Sequence, residues 1–439
     1  MRVVAWPLVS DTAPERVFRR LVERSRTRGL APPAALAGDW FGSRAVIAPT
    51  LSAEPVEDAE AFSFPARQPS VAVSSAPADA IGGGWFGYLG YGLTDPGAWD
   101  TPRRLPNAVW GWADHVLRQD RRGRWWFEAL VPDGQPAPER LAAELVALVD
   151  RGEDPAPRPW TAGHLGRPSA ERHMDAVRAC VAAIGEGEIF QANVCSEFSA
   201  EFDGDPAELF ATGLARLRPT RSAYLAGGWG AVASFSPELF LSRRGTITRS
   251  SPIKGTLPRR TPEHNVNAQL LRQSTKDIAE NVMIVDLVRN DLGRVCATGS
   301  VTVPELLAVR PAPGVWHLVS TVEGHLPVGV DDGELLAAAF PPGSVTGAPK
   351  LRALEIVAEL EATPREIYCG AIGLASPAAG MELNVVIRTL EFHDGVLRLG
   401  VGGGITADSD PAAEWQECLT KAAPIEALLS TPLPTTAAR

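Results

Sequence analysis

Between Ser222 and Ser250 the chain reads SAYLAGGWGAVASFSPELFLSRRGTITRS. Short runs of strand-forming residues are separated there by GGWG, SPE and RRG, each a tight-turn signal. Strands joined by so few residues pair antiparallel, because a parallel partner needs a long crossover connection. The run therefore argues against alternating βαβ units and for antiparallel sheets with helices added between strands, an α+β chain. Upstream, RAVIAPTL, GGWFGYLGYGL, NAVWGWADHVLRQD and GRWWFEALV make residues 1–130 a β-rich region. Residues 131–168 form a linker with a helix at about Pro138 to Val149, set between Pro-, Gly- and Asp-rich breakers. Residues 169–430 mix strands and helices as the main body, and 431–439 form a tail. Its first helix is capped by Ser169, and its strongest, STKDIAENVMIVDLVRNDLGR, is capped by Ser274 or Thr275 and closed by Gly293.

Composition excludes several functions. No run approaches the length of apolar sequence that spans a bilayer, and the apolar stretch near the N-terminus is broken by Pro7, unlike a secretory signal. A net charge of −10 argues against a nucleic-acid partner. Cys180, Cys195, Cys296, Cys369 and Cys418 are dispersed without a CxxC pair, which suits reduced thiols in the cytoplasm. GGGWFG (Gly82 to Gly87) matches a dinucleotide fingerprint in letters only, lacking its strand-then-helix setting. GSVTGAPK (Gly343 to Lys350) has the wrong spacing for a phosphate loop, although such a loop opening a helix can hold an anion on its free N–H groups.

Two helices carry acid pairs three residues apart, Asp277 with Glu280 and Glu414 with Glu417, each on one helix face. Val282, Val285 and Val288, and Leu419, Ile425 and Leu428, are expected to bury part of those helices. Each pair alone also fits a solvated helix N-terminus. If the helices face each other, the four carboxylates form an all-oxygen cluster suited to a hard cation such as Mg²⁺. PIKGT places Lys254 in a turn, between Pro252 and Gly255, and His317 lies between residues expected to form a strand.

PIKGTLPR, KDIAENVMIVDLVRNDLGRV, HLVSTVEG, FPPGSVTGAPKLRALEIV, YCGAIGL, NVVIRTL and GVGGGITADSDPAAEWQECLTKA resemble, in this order, the signature segments of the chorismate-utilising enzymes. That family includes the large subunits of anthranilate synthase and aminodeoxychorismate synthase. The resemblance is close from Ser169 to Ala423 and thinner before it. It implies two packed antiparallel β-sheets with outer helices. It implies Mg²⁺ on Glu280, Glu414 and Glu417 with Asp277 in support, and a substrate carboxylate on Tyr368 and Arg388. Ser344, Thr346 and Gly347 would line the ring, Gly402, Gly403 and Gly404 would contact a carboxylate by their backbone, and Lys421 would add charge; His317 matches an active-site histidine.

The lysine in PIKGT is the mark of the aminodeoxychorismate synthases, where it is the residue thought to attack the ring. By that resemblance Lys254 adds to chorismate, Glu238 acts as general acid, and ammonia displaces the lysine. Such an amine must be neutral, so burial or a nearby cation such as Arg249 is expected to depress its pKa. No glutaminase nucleophile motif is present, which implies a separate glutamine amidotransferase partner. Anthranilate synthesis is the neighbouring chemistry and a non-catalytic glutaminase activator the remoter one. The chain departs from the family's usual pattern at Arg249 to Ser251, at Ile278 and at Leu374, while Gln191 is kept.

Overall fold

A computed structural model describes residues 1–72, 77, 79–97, 99, 102–259 and 261–430. The tail 431–439 lies outside the described residues. Two antiparallel sheets pack face to face, with twelve and ten strands among the described residues. The larger runs from Arg2–Pro7 through Trp125–Val131, His115–Asp120, Ser43–Ala48 and Ala34–Trp40 to Arg221–Gly227. It continues through Gly230–Ser234, Thr389–His393, Val396–Ile405 and Gln191–Asp203 to Gly347–Ala348. The smaller sheet likewise joins Gly84–Leu89 and Ala108–Ala113 to Leu239–Arg244, Ile253–Pro258, Val315–His325, Ala371–Ser376 and Gly380–Val385. Both sheets thus take strands from before residue 130 and after residue 169, and the change of texture along the chain is not a division of the fold.

The apolar strands near the N-terminus show why the layers form. In Ala34–Trp40, Ala34, Leu36 and Trp40 enter the core between the sheets, while Ala35 and Ala37 meet the outer helices. Ser43–Ala48 divides the same way, Val46 and Ala48 inward, Ala45 and Ile47 outward. With both faces covered, a strand of an antiparallel sheet loses its polar alternation and reads as an apolar run. The outer layer on the larger sheet includes a helix, Pro14–Arg28, inside the region read as β-rich. Val17, Phe18 and Leu21 supply its buried stripe, Pro14 opens it and Gly29 closes it at φ 62°.

The helices around the acid pairs are where their caps place them. Ser274 Oγ accepts from Asp277 N at the start of Thr275–Gly293, and Asp410 caps Pro411–Leu429 by accepting from Ala413 N. Ile284, Val285, Leu287 and Val288 bury the first helix. Val282, expected among them, is 37% exposed because it lies off that stripe. The Ser169-capped helix spans Ala170–Gly185, and the linker helix spans Glu139–Arg151.

Candidate active site

The strand Val396–Ile405 ends between the two acid-bearing helices. Glu280 and Glu414 are buried there, 8% and 2% exposed, and Glu417 stands at the open rim. Three lysines meet them. Lys276 Nζ donates to Glu414 Oε1 at 3.2 Å and lies 3.9 Å from Glu280 Oε1. Lys421 Nζ bonds Glu417 Oε1 and the Gly402 carbonyl, both at 2.7 Å. Lys254 Nζ lies 3.9 Å from Glu280 Oε2. Burial raises the Glu280 carboxyl above its ordinary range, with Lys254 and Lys276 opposing. At Glu417 burial pushes the same way, but Lys421, Lys276 and Lys254 together oppose it and the carboxyl is lowered.

Among the described residues no group of three or more His, Cys, Asp or Glu side chains is drawn together as a metal cage. Lysine ammonium groups stand among the carboxylates instead. The donor set still fits a hard cation. Glu414 Oε1 is engaged by Ser409 Oγ at 2.7 Å and by Lys276, whereas Glu414 Oε2 is buried without a partner. A Cβ on Gly403 would lie 3.1 Å from that oxygen, so the glycine leaves the space before it open. Asp277 is partly buried, and its carboxyl packs against Gly255.

Lys254 lies in a strand, not in a turn. Ile253–Pro258 pairs with Val315–His325 through Ile253↔Val319 and Thr256↔His317, so three steps on one strand answer two on the other. The extra residue makes a β-bulge, and Gly255 adopts φ 87°, open to glycine without strain. The bulge aims the Lys254 amine at the larger sheet, where a Cβ on Gly404 would come within 2.8 Å of Nζ. Gly402, Gly403 and Gly404 are likewise strand residues, paired with Cys195, Val194 and Asn193. Arg249 is no neighbour of this amine; it is exposed and paired with Glu323 on the adjacent strand.

Glu238 is fully enclosed at the start of Leu239–Arg244. Burial raises its carboxyl to about 7, against the opposing pull of Ser344, Lys254 and Arg388. Arg388 holds a left-handed backbone, φ 51°, unusual for a non-glycine residue. Burial lowers its pKa while Glu238 acts against the fall. His317 Nδ1 shares a 2.9 Å hydrogen bond with Thr256 Oγ1, and its buried Nε2 has no partner. Burial, helped by Arg388, takes the imidazole down to about 3, so the ring is neutral at ordinary pH.

Ser344 reaches Glu238 from the segment read as a phosphate-loop look-alike. Its lysine, Lys350, does not face a ligand: Nζ donates to Asp291 Oδ2 at 2.7 Å, Pro341 O at 2.8 Å and Ala339 O at 3.1 Å. Thr346 Oγ1 turns back to the Gly343 carbonyl at 3.1 Å, and Gly347 pairs with Ala192. Tyr368 stands apart. Its ring covers Gly400, its hydroxyl lies 3.9 Å from Cys195 Sγ, and no hydrogen bond joins it to Arg388 among the described residues. Lys276 is the charged residue that the sequence reading passed over, although its position four before Glu280 puts it on the same helix face. Gln191 also belongs here: its Nε2 would touch a Cβ on Gly404 at 2.7 Å, and its buried Oε1 is unpartnered.

The sequence matches the description of a chorismate binding enzyme over residues 36–427. Aminodeoxychorismate synthase component 1 of Klebsiella aerogenes is 40% identical over 346 residues, covering 77% of this chain and 75% of that protein. The protein of the same name from Escherichia coli K12 is 44% identical over 253 residues, 57% of this chain and 56% of that one, so the chain spans little more than half its length. Anthranilate synthase component I from Streptococcus pneumoniae superposes with a TM-score of 0.69 at 26% identity, covering 83% of this chain and 85% of that one. With seven signature segments in order, two packed antiparallel sheets and a match over most of its length, the chain belongs to the chorismate-binding enzyme family.

Proposed function

We propose that the chain aminates chorismate at C4, giving 4-amino-4-deoxychorismate with the enolpyruvyl group retained. The observation that carries this reading is the Lys254 amine, held by a bulge over Gly404 with Glu238 and Glu280 beside it. The bulge restricts where the amine points, which is what an intramolecular attack requires. Arg388 binds the enolpyruvyl carboxylate, with Tyr368 lining the glycine floor beyond it. The bare backbone of Gly402, Gly403 and Gly404 leaves room for the ring carboxylate, near the charge of Lys421. Ser344, Thr346 and Gly347 line the opposite edge, where Ser344 orients Glu238. Mg²⁺, held by Glu280, Glu414 and Glu417 with Asp277 in support, would supply positive charge against the ring carboxylate.

Lys254 adds its nitrogen to C2, the ring double bonds shift, and the C4–O bond breaks as Glu238 gives its proton to the departing hydroxyl. Water leaves. A carboxyl near 7 is suited to this transfer at neutral pH. Ammonia then adds at C4, the double bonds shift back, and the C2–N bond to Lys254 breaks. Glu238 takes the surplus proton from the new ammonium, so the cycle closes with ammonia consumed and water released. Neutral His317 serves as a hydrogen-bonding group beside Arg388.

The ammonia comes from a glutamine amidotransferase subunit; relatives named component 1 imply a second component. Five buried, unpaired thiols suit the cytoplasm. The test incubates purified protein and Lys254→Ala with chorismate, Mg²⁺ and ammonium, and identifies the product by mass and ultraviolet spectrum. Aminodeoxychorismate from the parent alone supports the reading. Anthranilate with released pyruvate overturns it.

A further inference from the structure

Three carboxylates and three lysines share one small region, Glu280, Glu414 and Glu417 against Lys254, Lys276 and Lys421. The lysines are not equivalent. Lys254 is tightly placed, 11% exposed in its side chain and set against Gly404. Lys421 is tied to a backbone carbonyl as well as to Glu417. Among the described residues the hydrogen-bond and ion-pair partners of Lys276 are carboxylates, Glu414 and Glu280, and its side chain is 49% exposed. It bridges the two acid-bearing helices from the first turn of one of them, with solvent open behind it. Meanwhile Glu414 Oε2, on the same carboxyl, is buried and unpartnered toward Gly403.

We propose that Lys276 is a resident counter-ion of the acidic cluster, which holds Glu414 and Glu280 together until a divalent cation displaces it into solvent. This rests on the metal reading above and adds to it a competitor built into the chain. Like charges repel at this range, so a cation between Glu280 and Glu414 and the Lys276 ammonium exclude one another. Lys276 is the member of the trio that can leave, because it has no neutral partner to lose and water takes its place. Without it buried Glu414 would keep only the Ser409 hydroxyl, and Glu280 only the distant Lys254 amine, whenever the site is empty. With it, cation affinity is set by exchange and not by simple addition.

The test uses the full chain and Mg²⁺ alone. Mg²⁺ is titrated calorimetrically into the parent protein and Lys276→Met, and acetylation of each lysine in the parent is followed by peptide mass spectrometry with and without Mg²⁺. Lys276→Met is expected to bind Mg²⁺ about fivefold more tightly, the scale of one half-exposed charge pair. Lys276 acetylation in the parent is expected to quicken several-fold when Mg²⁺ is added, a readout that needs no variant to fold. Equal or weaker binding by Lys276→Met, or acetylation that does not quicken, overturns the inference and leaves the metal site standing. Absence of Mg²⁺ binding by both proteins overturns the inference together with the metal reading beneath it.

Discussion

Lys254 and Lys350 look alike in one dimension and are opposites in three. Each follows a proline closely, in PIK and APK, within a segment containing glycine. Lys350 spends all three of its N–H bonds on Asp291, Ala339 and Pro341, and so ties the loop carrying Ser344 to the Thr275–Gly293 helix. Lys254 makes no hydrogen bond among the described residues, and its carboxylate contact with Glu280 is 3.9 Å long. A saturated lysine is a structural tie. An unsaturated one, confined by a bulge, keeps a nitrogen free to react. The comparison shows that burial of a lysine says little about its role until its partners are counted.

The sharpest way to break the comparison is to exchange the two phenotypes. Lys254→Ala is expected to reduce amination at least about 10³-fold while leaving urea-induced unfolding close to the parent, since no hydrogen bond is lost. A variant that is active but unstable would make Lys254 the structural lysine. Lys350→Met is expected to cost about 3–5 kcal/mol of unfolding free energy in the same assay, because Asp291 would stay buried without its partner. Unfolding unchanged from the parent would mean that the three bonds of Lys350 hold nothing.

Glu238 sharpens the picture beside Lys254. A general acid must carry its proton, and a carboxyl near 7 is protonated below that pH, so kcat at constant free ammonia is expected to fall as pH rises through about 7. Glu238→Gln should lower kcat about 10²-fold and remove that limb. A limb that survives the substitution assigns the proton to another group. The smallest effect is expected at His317. With its imidazole neutral down to about pH 3, His317→Asn should leave the position of the limb unchanged between pH 5 and 9 in the same profiles. A shift of the limb by a full pH unit would show that the ring titrates with the reaction.

Much of the site was legible before any coordinates, for a local reason. A cap and a three-residue spacing lie within two helical turns, so Ser274 with Asp277 and Glu280 announces both a helix start and a shared face. The spacing of Glu414 and Glu417 announces the second face, whose Asp410 cap the structure added. The antiparallel pairing of Arg221–Gly227 with Gly230–Ser234, and of Leu239–Arg244 with Ile247–Ser251, followed as directly from turns too short for any crossover. The SPE link, by contrast, makes no hairpin and carries the chain from the larger sheet to the smaller. Lys276 was legible in principle by the same i to i+4 rule, yet its partner Glu414 is 138 residues away. Nothing local marks a lysine as answering to a distant helix. The helix Pro14–Arg28 hid among apolar strands because strands covered on both faces lose the alternation that would have set it apart.

What the amino-acid sequence determined by itself is the inventory: two capped acid pairs, a run of three glycines, one lysine in PIKGT and the antiparallel strands that carry them. Those are properties of neighbours along the chain, governed by dihedral preference, capping and periodicity. The tertiary structure alone decided that PIKGT is a bulge and not a turn, and that its lysine faces Gly404, 150 positions on. It also decided that Arg249 answers Glu323, that Tyr368 lies with Cys195, and that Glu238 holds its proton to about 7. Each of these depends on which surfaces exclude water together. Desolvation and charge pairing act through space between segments far apart in the chain, and no window of sequence contains both sides of such a contact.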